Sequence, residues 1–102
     1  MESLHFHFDG GRTPAPFAPT LVGVVASGNL EVLVEPSADT GCRITVDTSA
    51  RGFAPVWEAV LRDFHERHGV AGLAVAIHDM GATPAVVSLR LDQAIAAIAG
   101  DA

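Results

Sequence analysis

The sequence has very little sulfur to work with: among 102 residues, Cys42 is the single cysteine. It cannot form an internal disulfide, and it has no companions for a structural zinc site. No apolar run is long enough to span a bilayer. The first residues, Met1-Glu2-Ser3-Leu4-His5, contain no basic region leading into an apolar stretch, so no secretory signal is expected. Basic residues are scarce as well. Six Arg plus Lys stand against twelve Asp plus Glu, a formal net charge of −6. Such a surface suits nucleic acid poorly and a basic protein face better. The expectation is a cytoplasmic protein with neither a nucleic-acid nor a membrane partner. There is also no internal repeat, low-complexity segment or composition break, so residues 1–102 are read as a single domain.

What is present is apolar and patterned. Hydrophobic residues make up 49% of the chain, which argues against disorder. Leu4-His5-Phe6-His7-Phe8 alternates with period two, as a strand with one buried face does. The stretch from Asp9 to Pro19 is rich in Gly and Pro and reads as a connector. Thr20 to Ala26 and Leu30 to Glu35 are β-prone runs around Ser27-Gly28-Asn29. Gly28 and Asn29 tolerate the positive φ that tight hairpin turns require. Cys42 to Asp47 alternates again, with Cys42, Ile44 and Val46 inward.

The period then lengthens. Val56, Trp57, Val60, Leu61 and Phe64 share a helical face, and Glu58, Arg62, Asp63, Glu66 and Arg67 lie mostly away from it. Pro55 suits a helix start and Gly69 a stop. Gly72 to His78 reads as a strand. Thr83-Pro84 reads as an N-cap with a first-turn proline, ahead of a stripe of Val87, Leu91, Ala94, Ile95 and Ile98. The order β-ββ-β-α-β-α fits an α+β fold, a two-layer sandwich of a small, mostly antiparallel sheet with two helices on one face.

Few side chains point to chemistry. His5 and His7 share a strand face and, with Asp9, form a conceivable metal set. His65 and His68 are three apart, one short of the zincin spacing. In both cases a solvated polar face explains the residues better. Cys42, inward on a strand, reads as an inert buried thiol. The loop Asp79-Met80-Gly81-Ala82 precedes a helix N-terminus and could receive a phosphate, yet any β-to-α connection looks like this. Ser27 by spacing is a polar turn residue. A turn does offer exposure to another protein's active site.

Two stretches carry a family likeness. Val24 to Pro36, "VVASGNLEVLVEP", and Ile77 to Ile95, "IHDMGATPAVVSLRLDQAI", resemble the malonate decarboxylase acyl carrier protein, or delta subunit, family. A more distant likeness is to the citrate lyase acyl carrier proteins. The chain lacks an Asp-Ser-Leu helix start, so it does not resemble the helical-bundle carriers of fatty acid synthesis.

The resemblance implies a carrier and not an enzyme. A phosphoribosyl-dephospho-CoA group would be attached to the serine of a Ser-Gly-Asp turn, which matches Ser27 and Gly28, with Asn29 in place of the expected Asp. The modified serine would make the chain a phosphoprotein. The thiol of that group would hold acetyl or malonyl as a thioester, a role in malonate catabolism. The implied partners are a prosthetic-group transferase, an acetyl/malonyl transferase subunit and decarboxylase subunits. The His78-Thr83 loop is expected near the turn, with Asp79 and Thr83 meeting the group or a partner that reads it. Two other readings stand beside this one: a structural subunit without a prosthetic group, and a small His-dependent metal-binding protein.

Overall fold

The computed structural model describes residues 1–99. Five strands and two helices follow in the order β1 (Glu2–Asp9), β2 (Thr20–Gly23), β3 (Leu30–Pro36), β4 (Gly41–Thr48), α1 (Ala54–His68), β5 (Leu73–Asp79) and α2 (Pro84–Ile98). The strands form one sheet ordered β1-β4-β5-β3-β2. All neighbours are antiparallel except β4 and β5. This is the α+β architecture expected of the sequence.

The period-two pattern sets the sheet's faces. Leu4, Phe6 and Phe8 stand opposite Val46, Ile44 and Cys42 across β1 and β4. Leu73, Val75 and Ile77 continue that face on β5, and Leu30, Val32 and Val34 on β3. Nearly all are buried, and they pack with Trp57, Leu61 and Phe64 of α1 and Val87, Leu91 and Ala94 of α2 in one core. Truncating Leu61, which is wholly buried, to Ala would cost about 2–5 kcal/mol, because both burial and packing are lost. The opposite face carries His5, His7, Arg43, Thr45, Asp47 and His78, and among the described residues no helix covers it.

The helices begin and end where their sequences dictate. Trp57, Leu61 and Phe64 recur at helical spacing, and the outer face is tied by Arg62–Glu58 and Arg67–Asp63 pairs four residues apart. Gly69 ends α1 in the left-handed conformation, its N–H donating to the His65 carbonyl. Thr83 caps α2, its Oγ1 accepting from the Val86 N–H at 3.3 Å, and Pro84 takes the first turn. One stripe residue departs from the expectation. Val56 is 44% exposed; it lies at the open amino-terminal end of α1, where a cleft and not the core faces it.

The parallel pair positions the functional end. Both β4 and β5 run into helices, and Thr48 pairs with Asp79, which pairs in turn with Leu30. The amino termini of α1 and α2 and the connection ahead of β3 therefore gather at one end of the sheet.

Candidate functional site

Ser27 lies in that connection and is exposed. It occupies the second position of a turn closed by the Asn29 N–H donating to the Ala26 carbonyl at 2.9 Å. Gly28, third in the turn, has φ 72°, and no residue other than glycine has positive φ among the described residues. That is the pattern of a type II turn, in which the third position demands glycine. A Cβ built on Gly28 would meet nothing within 4 Å, so the space beside Ser27 is open to an approaching protein. The Ser27 hydroxyl makes no hydrogen bond among the described residues.

The turn differs from the tight hairpin expected of Gly28-Asn29. β2 stops at Gly23, not Ala26, and the connection runs from Val24 to Asn29. Gly23 has φ 85°, and a Cβ there would collide with the Leu30 carbonyl. The ladder breaks at this kink and leaves Val24 and Val25 exposed. Asn29 is not left-handed either. Its contribution is through the side chain, whose Oδ1 accepts from the Leu30 N–H at 2.8 Å and from the Arg90 Nε–H at 3.2 Å. Arg90 also donates to Gln93 Oε1 at 3.1 Å, and its Cδ lies across Gly23.

The β5–α2 loop adjoins the turn. The Gly28 N–H donates to the Met80 carbonyl at 2.8 Å, and the Met80 N–H donates to the Asn29 carbonyl at 2.9 Å. These bonds extend the β3–β5 ladder past its last pair and staple the turn in place. The loop is not organised to cradle a phosphate, however. The Asp79 carboxylate, 3% exposed, accepts from Thr48 Oγ1 at 2.8 Å, the Gly81 N–H at 3.2 Å and the Ala82 N–H at 2.9 Å. Those N–H groups are spent inside the loop, and the Thr83 hydroxyl is spent on its cap. Asp79 and Thr83 thus shape the loop and do not reach toward a ligand through their side chains.

Beside the loop, between the first turns of the helices, lies a cleft of about 490 Å³. Phe53, Val56, Trp57, Val60 and Val87 give it a mostly apolar wall, and Asp79, Gly81 and Ala82 border it.

The other candidate groups lead elsewhere. His7 is held between Asp39 at 2.9 Å and Asp9 at 3.4 Å. His65 Nε2 lies 3.1 Å from the carbonyls of both Gly10 and Val70, and its ring stacks on Phe8. His68 meets Asp92 at 2.8 Å. No three His, Cys, Asp or Glu side chains converge on a metal position among the described residues. Cys42 is buried against the core. Burial, then the nearby Asp39 charge, pushes its thiol up to about 12, so it is not a nucleophile at neutral pH.

Arg90 and the cleft had no signal in the sequence. Arg90 falls between Leu89 and Leu91 on an amphipathic helix, where an arginine is ordinary. Its contact with Asn29 spans 61 residues, beyond any local pattern.

The comparisons with known proteins agree with one another. The family model described as malonate decarboxylase delta subunit (MdcD) matches residues 18–98. A malonate decarboxylase acyl carrier protein of Burkholderia cepacia is 65% identical over 97% of this chain and 92% of its own length. One from Acinetobacter calcoaceticus is 52% identical, covering 99% of this chain and 100% of its own. Among solved structures, a chain of a Pseudomonas malonate decarboxylase hetero-tetramer crystallised in complex with malonate superposes with a TM-score of 0.87. It is 42% identical, over 96% of this chain and 99% of that one. With a family model spanning most of the sequence and relatives this similar along its whole length, the chain belongs to the malonate decarboxylase delta-subunit family of acyl carrier proteins.

Proposed function

We propose that this protein is the acyl carrier subunit of a malonate decarboxylase and that Ser27 Oγ is the attachment point of a phosphoribosyl-dephospho-CoA group. The observation that carries this is the presentation of Ser27: an exposed hydroxyl, unbonded among the described residues, on a turn whose Gly28 and Asn29 are stapled to Met80, with open space at Gly28. The turn also suits a phosphate-linked group, since the Arg90 guanidinium brings a positive charge to Asn29, two residues from the serine. When bound, the group supplies a thiol on a long arm, which holds acetyl or malonyl as a thioester and eases loss of CO₂.

The chain's own residues then have a positioning task. Among the described residues no histidine or carboxylate is bonded to Ser27, so the transferase that attaches the group must bring the base that removes the serine proton. The stapled turn fixes the root of the arm, and tethering makes each visit to a partner's active site intramolecular. The exposed Val24, Val25 and Met80 give partners an apolar contact beside the serine. The net charge of −6 steers basic faces of those partners, the transferase and decarboxylase subunits, toward the carrier.

Other serines are less well presented. Ser3 donates to Asp47, Ser37 accepts from the Asp39 N–H, and Ser88 lies within α2. Ser49 is exposed at the same end of the sheet, so the test must separate it from Ser27. Intact-mass measurement of protein from its native cell, followed by peptide mapping, is expected to show one increment of phosphoribosyl-dephospho-CoA size on Ser27, absent in Ser27→Ala. In folded protein the deacylated holo form is expected to show one reactive thiol and the apo form none, since Cys42 is buried. A full increment retained by Ser27→Ala rejects the assignment, and an unmodified mass favours the structural-subunit reading.

A further inference from the structure

We infer that the cleft between the first turns of α1 and α2 docks the acylated end of this chain's own prosthetic arm, accepting the acetyl form and excluding the malonyl form. The inference rests on the carrier reading above.

The cleft has the size and character of a small-molecule site. Its volume of about 490 Å³ lies within the roughly 300–1,000 Å³ usual for such sites. Phe53 and Val56 remain half exposed around it, although they face a concavity lined by Trp57, Val60 and Val87. Large apolar side chains left open around a hollow mark a surface that something covers.

Continuity with the attachment turn points to the arm as the occupant. Gly28 is hydrogen-bonded to Met80, and the next residue, Gly81, borders the cleft. Following that path, Ser27 and Gly81 are separated by one residue step on each side of one interstrand spacing, so they lie within about 13 Å. A nucleotide-linked pantetheine arm is longer than that and can turn back into the cleft.

The apolar lining supplies the discrimination. Apart from Asp79, whose carboxylate is engaged by Thr48, Gly81 and Ala82, the described residues around the cleft are apolar, and none is basic. An acetyl thioester presents only a methyl group and a weakly polar carbonyl to the apolar wall. A malonyl thioester ends in a free carboxylate, which would lose its hydration against this wall with no cation beside it. The acetyl arm would rest in the cleft, shielded from water, while the malonyl arm stays extended for a partner.

The test uses the full chain as apo, acetyl-holo and malonyl-holo protein, each verified by mass. The one tryptophan, Trp57, lines the cleft and serves as an optical probe; the methyl NMR signals of Val56, Val60 and Val87 serve as site-specific probes. The acetyl form is expected to shift Trp57 emission and all three sets of methyl signals away from the apo values. The malonyl form is expected to match apo. Val56→Phe, which fills the mouth from an exposed position, is expected to remove the acetyl-dependent shifts. It should also raise the hydroxylamine cleavage rate of the acetyl thioester several-fold over that of the acetyl form without the substitution. Apo-like spectra for verified acetyl-holo protein overturn the inference, as do equal shifts in the acetyl and malonyl forms. Concentration-dependent shifts of these signals in apo protein would place a second copy in the cleft and also overturn it. Failure to obtain any Ser27-linked group would instead reject the carrier reading before a spectrum is taken.

Discussion

Arg90 on α2 donates its Nε–H to the side-chain oxygen of Asn29, 3.2 Å away, and so ties a helix to the turn that presents Ser27. The family resemblance led to an Asp at position 29. Asn29 keeps the acceptor oxygen and gives up the charge, so the tie survives as a neutral-acceptor hydrogen bond.

Asn29→Asp is expected to strengthen that tie, because the acceptor becomes charged. The partly exposed setting limits the gain to about 0.2–1 kcal/mol. Urea unfolding of the two single variants and the double variant with Arg90→Ala should show a gain that disappears without Arg90 and shrinks at high salt. A gain independent of Arg90 would mean that Asp stabilises the turn by itself.

Glycine substitutions on either side of Ser27 are expected to differ. Gly28→Ala meets no neighbour and pays only for the left-handed conformation, about 1–2 kcal/mol. Gly23→Ala adds a collision with the Leu30 carbonyl and crowds Arg90, so its loss should be larger and should disturb the Arg90–Asn29 contact. Melting curves give the order, and the Arg90 Nε–H signal reports the contact. Equal losses with an undisturbed Arg90 would contradict the steric account.

Asp79→Ala should destabilise the fold by about 2–3 kcal/mol, since the Thr48 hydroxyl and the Gly81 and Ala82 N–H groups lose their acceptor in a buried place. Asp79→Asn keeps one oxygen acceptor and should lose less. Because the loop also staples the turn through Met80, hydrogen exchange at the Gly28 amide should accelerate in both variants. A Gly28 amide as protected as in the parent protein would show that the staple does not depend on Asp79.

The His7–Asp39 pair, linking β1 to the β3–β4 loop, sets a pH dependence. Its hydrogen bond to Asp39 raises His7 above 6.5, while the bond from His7, then the Gly41 N–H, lowers Asp39 below 3.8. The histidine contribution is complete below its unfolded value and fades as pH rises through the raised folded value. The aspartate contribution is present above 3.8 and fades as pH falls through the lowered folded value. His7→Gln should therefore lower the melting temperature most near about pH 5 and least above about pH 8. A deficit constant across that range would remove the ion pair as its cause.

The sequence by itself determined the elements. A period of two placed Phe6, Ile44 and Val32 on one sheet face, and a helical period placed Leu61, Phe64 and Leu91 on core-facing stripes. Gly69 and Thr83 marked helix boundaries, and Gly28 marked the turn, because caps and left-handed positions depend on a residue's own stereochemistry. The family likeness singled out Ser27 for the same reason: the evidence was local. Tertiary structure alone decided which strands became neighbours. It made β4 and β5 parallel, gathered both helix amino termini at the end that holds Ser27, and brought Arg90 to Asn29 across 61 residues. It turned Asp79 inward, as a loop-shaping group, and left Val56 over a cleft and not in the core. Those outcomes depend on how the apolar faces of distant segments are buried together. That is a balance struck over the whole chain, and no short window of sequence contains it.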